Sequence, residues 1–99
     1  SDPVAISIGT KASEVERLVN VFPNPNSGVI NYEIFGEIDG LLNIKILDSN
    51  GRQIFSRKAY KSDYYHHELL SVPYFIPGIY YIETRIGDDP IDSQKIIFQ

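Results

Sequence analysis

From Val29 onward the apolar and polar positions alternate. Ile30, Tyr32 and Ile34 fall on one face of an extended chain, and Asn31 and Glu33 on the other. The pattern returns at Leu42, Ile44 and Ile46 around Asn43 and Lys45, and again at Tyr80, Ile82 and Thr84. Successive side chains of a strand point to opposite faces, so these stretches predict strands with one face buried. Further strands are expected from Arg52, with Ile54 inward and Phe55 covering an edge, over the aromatic-rich Tyr64 to Leu70, and over Ser93 to Phe98. The breaks carry turn chemistry: Asp39-Gly40, Asp48-Ser49-Asn50-Gly51, the corner Pro77-Gly78, and Gly87-Asp88-Asp89-Pro90.

Ahead of this pattern stands Val21-Phe22-Pro23-Asn24-Pro25-Asn26-Ser27-Gly28. Each proline fixes its own φ, lacks an N–H and pushes the preceding residue into extended backbone. Phe22 to Pro25 therefore predicts a stiff, extended piece that cannot be a central strand. Asn26-Ser27-Gly28 predicts a turn, with Gly28 at positive φ. Further back, Val4 to Ile8 reads as a strand or the end of an upstream domain. Gly9, Thr10, Lys11 and Ala12 read as a linker. Ser13 and Glu16 fit a capping box, with Val15, Leu18 and Val19 at helical spacing, enough for one helical turn at most. The expected organisation is a linker and possible first strand over 1–20 and a folded domain over 21–99. Its fold class is all-β: an immunoglobulin-like antiparallel β-sandwich of about seven short strands. With no Trp and no Cys, an antibody-type domain is not expected.

Composition narrows the function classes. A chain of 99 residues is one domain. The net charge is −4 and no basic stripe occurs, because Asp48, Asp63 and Glu68 dilute Arg52, Arg57, Lys58 and Lys61; no nucleic-acid partner is expected. No apolar run approaches the ~20 residues of a membrane span, so direct membrane insertion is not expected either. Without Cys there is no disulfide framework and no thiolate metal site. Met is absent even at position 1, which reads as a module of a longer polypeptide.

Catalytic constellations are thin. His66 and His67 are neighbours in a strand and face opposite ways, so they cannot chelate one metal together. Asp48 to Gly51 resembles the start of a calcium loop but lacks the closing carboxylate and flanking helices. Asp88, Asp89 and Asp92 read as a solvated acidic turn. The serines have no nucleophile-elbow setting, and no Gly-rich phosphate loop occurs. The chain is not expected to be an enzyme or to carry a cofactor. Seven Tyr and five Phe supply core and cross-strand pairs, or alternatively an aromatic face for sugars.

Taken in order, the punctuating segments resemble a known family. They are Val21-Phe22-Pro23-Asn24-Pro25 with Gly28; Leu47-Asp48-Ser49-Asn50-Gly51-Arg52-Gln53-Ile54; Leu70, Val72, Phe75, Gly78, Ile79 and Tyr80; and Lys95-Ile96-Ile97. This series resembles the type A C-terminal sorting domain of the type IX secretion system of Bacteroidetes, over roughly residues 20 to 99. Phe75 stands where Leu is usual, and Ile76-Pro77 replaces the usual Pro-small pair before the glycine. The resemblance implies an address label: a signal that carries an attached cargo from the periplasm across the outer membrane to the cell surface or beyond. The implied partners are the outer-membrane translocon and its shuttle protein, an upstream cargo domain, and a sortase-like cysteine protease; its cut is expected before Val21, within Gly9 to Ala12, because that stretch is small and polar. Lys95 to Phe98 is expected to be an open edge strand, available for strand addition by a partner. Removing Lys95 to Gln99 is expected to spare the fold and abolish export. The alternative is an immunoglobulin-like adhesion or carbohydrate-binding module appended to a secreted enzyme.

Overall fold

A computed structural model describes residues 18–99. The described residues form seven strands: β1 (Val19–Phe22), β2 (Val29–Phe35), β3 (Gly40–Asp48), β4 (Gln53–Lys61), β5 (Tyr65–Ser71), β6 (Gly78–Ile86) and β7 (Asp89–Phe98). They make a three-stranded sheet, β1-β2-β5, and a four-stranded sheet, β4-β3-β6-β7, with every neighbouring pair antiparallel. The chain changes sheet after β2, after β4 and again after β5, which gives the immunoglobulin-like sandwich that the alternation predicted.

The residues of the alternating pattern are the core. Ile30, Tyr32 and Ile34 on β2 meet Leu42, Ile44 and Ile46 on β3 and Tyr80 and Ile82 on β6, all buried; Ile96 and Phe98 close the layer from β7. The buried hydroxyls of Tyr32, Thr84 and Tyr80 are paired, as burial requires, whereas the buried Asn43 Oδ1 on β3 has no partner among the described residues. The Tyr32 hydroxyl and the Thr84 hydroxyl hydrogen-bond at 2.6 Å, joining the two sheets through their middle. The two flanks are stitched as well. Arg57 on β4 pairs with Glu68 on β5 at 2.8 Å, and the Gln94 amide of β7 donates to the Val19 carbonyl of β1.

At one end of the sandwich Lys61 is fully buried. Its ammonium donates to the Gly36 carbonyl at 2.7 Å and the Ile38 carbonyl at 2.9 Å, with Asp39 at 3.7 Å. The lysine counted as part of a diluted basic cluster is thus the cap of the β2–β3 loop. A buried ammonium is tolerated where backbone oxygens take its protons.

Several expectations need correction. Val19, read at helical spacing, is the first residue of β1 and pairs with Ile34, while the Leu18 carbonyl accepts from Phe35 N–H; the sheet overrides a weak local helical preference. The final strand starts at Asp89, not Ser93, because the turn is only Gly87-Asp88. Pro90 is accommodated in β7, an edge strand, beside a register shift at Thr84/Arg85. The return strand begins at Gln53, one residue after Arg52. The proposed strand at Val4 to Ile8, the linker Gly9 to Ala12 and the Ser13–Glu16 capping box lie outside the described residues.

Candidate recognition site

The end of the sandwich opposite Lys61 gathers the sequence motifs. Asp48 at the end of β3 pairs with Tyr80 near the start of β6, and Gly78 pairs with Phe98 at the end of β7. The Pro23-Asn24-Pro25 segment leaves β1 here and crosses to β7, where Asn26 bridges Phe98 in parallel. Both peptide bonds into these prolines, Phe22-Pro23 and Asn24-Pro25, are cis.

This crossing closes the edge that was expected to be open. Asn24 accepts from the Ile97 N–H at 2.9 Å and donates to the Lys95 carbonyl at 3.2 Å. Asn26 gives both its backbone N–H (2.9 Å) and its side-chain amide (3.2 Å) to the Ile97 carbonyl, and its own carbonyl takes the Gln99 N–H at 2.8 Å. The backbone groups that a partner strand would need are already used from Lys95 to Gln99, so this stretch is not a free edge. Two asparagines can do this because the side-chain amide mimics the donor and acceptor of a peptide group.

Asn26 is itself buried, and its Oδ1 takes the Gly28 N–H at 2.8 Å, the short-range bond that makes the turn. Gly28 sits at φ 109°, as expected of it, and its carbonyl accepts from Val72 N–H at 2.8 Å. A side chain has no room there: a Cβ would lie 2.6 Å from Phe75 Cε2. Phe75 in turn packs edge-on to Phe98 (4.8 Å between ring centres), and Phe98 stacks on Tyr80 (4.7 Å). Phe98 and Ile96 belong to the core, so removing Lys95 to Gln99 takes core side chains with it. Truncation is therefore expected to cost core packing as well as an edge strand.

The second part of this end is built on Asp48. Its Oδ1 accepts the N–H groups of Asn50 and Arg52, both at 2.9 Å, and its Oδ2 accepts Arg52 Nε at 3.2 Å. These bonds, the Arg52 N–H first among them, hold its carboxyl below the usual aspartate range. Gly51 completes the turn at φ 88° and donates to the Asp48 carbonyl at 2.9 Å. Facing this turn is the loop before Gly78. The Tyr80 hydroxyl donates to the Ile76 carbonyl at 2.6 Å and accepts the Ile76 N–H at 3.1 Å, which fixes the loop on the sandwich. Between turn and loop runs an open groove of about 660 Å³ lined by Arg52, Ile54, Tyr74, Ile76 and Ile79 among others.

Of the singled-out residues, Pro23, Asn24, Pro25, Gly28, Lys95, Ile96 and Ile97 meet at the β1–β7 side of this end. Asp48, Gly51, Arg52, Gly78 and Tyr80 meet at the β3–β6 side. Lys95 points outward beside Tyr81, and Ile97 beside Ile79. Asn26 and Gln94 carry long-range bonds and were not singled out; the amide type of Asn26 within the turn was the available signal. His66 bonds Glu68 at 2.8 Å and His67 bonds Asn31 at 3.0 Å, each on its own face. Among the described residues no group of three or more His, Cys, Asp or Glu converges on a common point. The exposed tyrosines among the described residues are dispersed over β4 (Tyr60), the turn before β5 (Tyr64), the start of β5 (Tyr65), the motif-end loop (Tyr74) and β6 (Tyr81).

Comparison with curated proteins and with solved structures found no match. A family model described as the secretion system C-terminal sorting domain matches residues 20–99, all but the first residue of the described sandwich's β1 included. The matched span holds every motif gathered at this end, and the chain belongs to the C-terminal sorting domain family of type IX secretion.

Proposed function

We propose that the domain sends an attached upstream cargo through the periplasm and out across the outer membrane, and that the end bearing the motifs is the face the type IX machinery reads. The observation that carries this is the convergence of segments far apart in sequence, from Pro23 to Ile97, on one end of a folded sandwich. Turn and clasp residues such as Gly28, Asp48 and Gly51 act by holding that end in shape. Side chains that remain at its surface, Arg52, Lys95, Ile79 and Ile97, are the ones available to a translocon or its shuttle protein.

A sortase-like cysteine protease then removes the domain. The cut falls before Val21, in the linker Gly9 to Ala12, because small polar sequences are where proteases act. In both steps the domain is ligand and substrate, with the sandwich from β1 onward as the folded signal, so that the boundary expected at residue 21 moves back to include Val19 and Asn20.

The test is to fuse residues 1–99 to a reporter directed to the periplasm of a bacterium that has a type IX system. The reporter is expected at the surface or in the medium, freed of the sandwich by a cut before Val21. Retention in the periplasm would falsify the sorting function; release with a cut inside 29–98 would overturn the boundary.

A further inference from the structure

The groove between the Asp48–Arg52 turn and the 73–77 loop has an unusual combination of properties. Its loop is fixed by the paired Tyr80–Ile76 bonds, yet it holds Tyr74 and Ile76 in solvent, 87% and 76% exposed. A fixed apolar tip keeps its hydration cost and gives back little conformational entropy, the state of a surface prepared for binding. Its charge is equally one-sided. Asp48 and Arg52 are the charged residues lining the groove, and both Asp48 oxygens already have donors. What is left to a visitor is the guanidinium of Arg52, oriented through Nε by Asp48 while its side chain stays 78% exposed. A guanidinium held by one edge still offers N–H groups in a fork that matches a second carboxylate.

We infer that this groove receives a segment of the secretion machinery carrying a carboxylate beside an apolar side chain. The carboxylate pairs with Arg52, and the apolar group lies against Tyr74, Ile76 and Ile79. The inference rests on the sorting function proposed above and assigns the contact within it. It also replaces strand addition at β7, since Asn24 and Asn26 already fill that edge.

The experiment uses the reporter fused to residues 1–99, with export and the melting temperature of the purified domain fusion measured on each variant. Tyr74→Ser and Ile76→Ser alter side chains that stand in solvent, so melting is expected to hold while export falls at least about tenfold, the size of a modest interface hot spot. Arg52→Gln is expected to lower export similarly. Asp48→Asn is its companion, because it loosens the same turn and keeps the guanidinium. Export lost in Arg52→Gln and largely kept in Asp48→Asn supports the carboxylate contact. Equal export in the two variants makes Arg52 a turn residue and overturns that contact. Export at wild-type level in Tyr74→Ser and Ile76→Ser overturns the groove while leaving the sorting function standing. A wild-type fusion that stays inside the cell overturns both.

Discussion

Asn26 and Ile97, 71 positions apart, are joined by two hydrogen bonds that converge on one carbonyl oxygen, from the backbone N–H and from the side-chain amide of Asn26. Replacing Asn26 by Ala removes the side-chain half of this junction and strands the Gly28 N–H, which Asn26 Oδ1 accepts in a buried setting. The expected loss is about 1–3 kcal/mol, the cost of an unpaired buried donor. Asn24→Ala, at a more exposed site, is expected to cost less but to uncover the Ile97 N–H. Amide hydrogen exchange reads this directly: Ile97 should exchange faster in Asn24→Ala, with the β3 amides unaffected. Unchanged protection of Ile97 would show that the clasp does not hold the edge in solution.

Three glycines at positive φ separate two causes of glycine dependence. Gly28→Ala meets backbone strain at φ 109° and also a Cβ 2.6 Å from Phe75. Gly51→Ala, at φ 88°, has nothing within 4 Å, and Gly78→Val, at φ 156°, finds its nearest neighbour, the Ile76 carbonyl oxygen, at 4.0 Å. Strain alone is of order 1–3 kcal/mol. Urea denaturation is expected to place Gly28→Ala clearly below Gly51→Ala, and equal midpoints would mean that the Phe75 contact relaxes freely.

Burial pushes the Tyr32 hydroxyl far above the ordinary tyrosine range, outweighing the opposing bond to Thr84. The folded state therefore keeps its proton where the unfolded chain releases it. Stability from this site is whole below a pH of about 10, the ordinary tyrosine value, and declines as pH rises beyond it. Tyr32→Phe should lose about 0.5–1.5 kcal/mol at neutral pH with the hydrogen bond. It should also flatten part of the alkaline decline, measured as melting temperature from pH 8 to 11. A variant as alkali-sensitive as the wild type would place the decline elsewhere.

Acid should act on the β4–β5 flank. Burial raises the Glu68 carboxyl, but bonds from His66 and Arg57 outweigh it and hold the group below the usual glutamate range. A depressed carboxylate contributes stability above its unfolded value, about 4.3, and that contribution is lost as pH falls through the lower folded value. Glu68→Gln should therefore narrow the gap to wild type as pH drops from 6 to 3. A gap that stays constant would mean that the β4–β5 bridge carries no net charge effect.

The alternation made the sandwich legible: Ile30, Tyr32, Ile34, Leu42, Ile44, Ile46 and Ile82 were placed inward by period alone, and all are buried. The turns at Gly28 and Gly51 were legible for the same local reason. What local pattern cannot carry is a partner 71 residues away. The Lys95–Phe98 stretch reads as an edge with unused bonds because nothing nearby in sequence could fill them, and Asn24 and Asn26 stand 71 residues earlier in the sequence than the groups they bond. Lys61 was misjudged similarly, since its acceptors are carbonyl oxygens of another loop, which have no signature in side-chain composition. Motif positions could be named, but whether each holds shape or meets a partner depended on exposure: Arg52 remains outside, while Tyr80 and Ile96 are inside.

The clasp has a consequence for the order of events during synthesis. The Pro23–Asn26 segment leaves the ribosome ahead of its acceptors at Lys95 and Ile97 and ahead of the Phe98 ring. Non-local contacts must wait for both of their ends. A polypeptide halted before Lys95 has a Pro-Asn-Pro segment with nothing to grip and a core without Ile96 or Phe98. The closed motif end thus forms only on a chain in which β7 is already made.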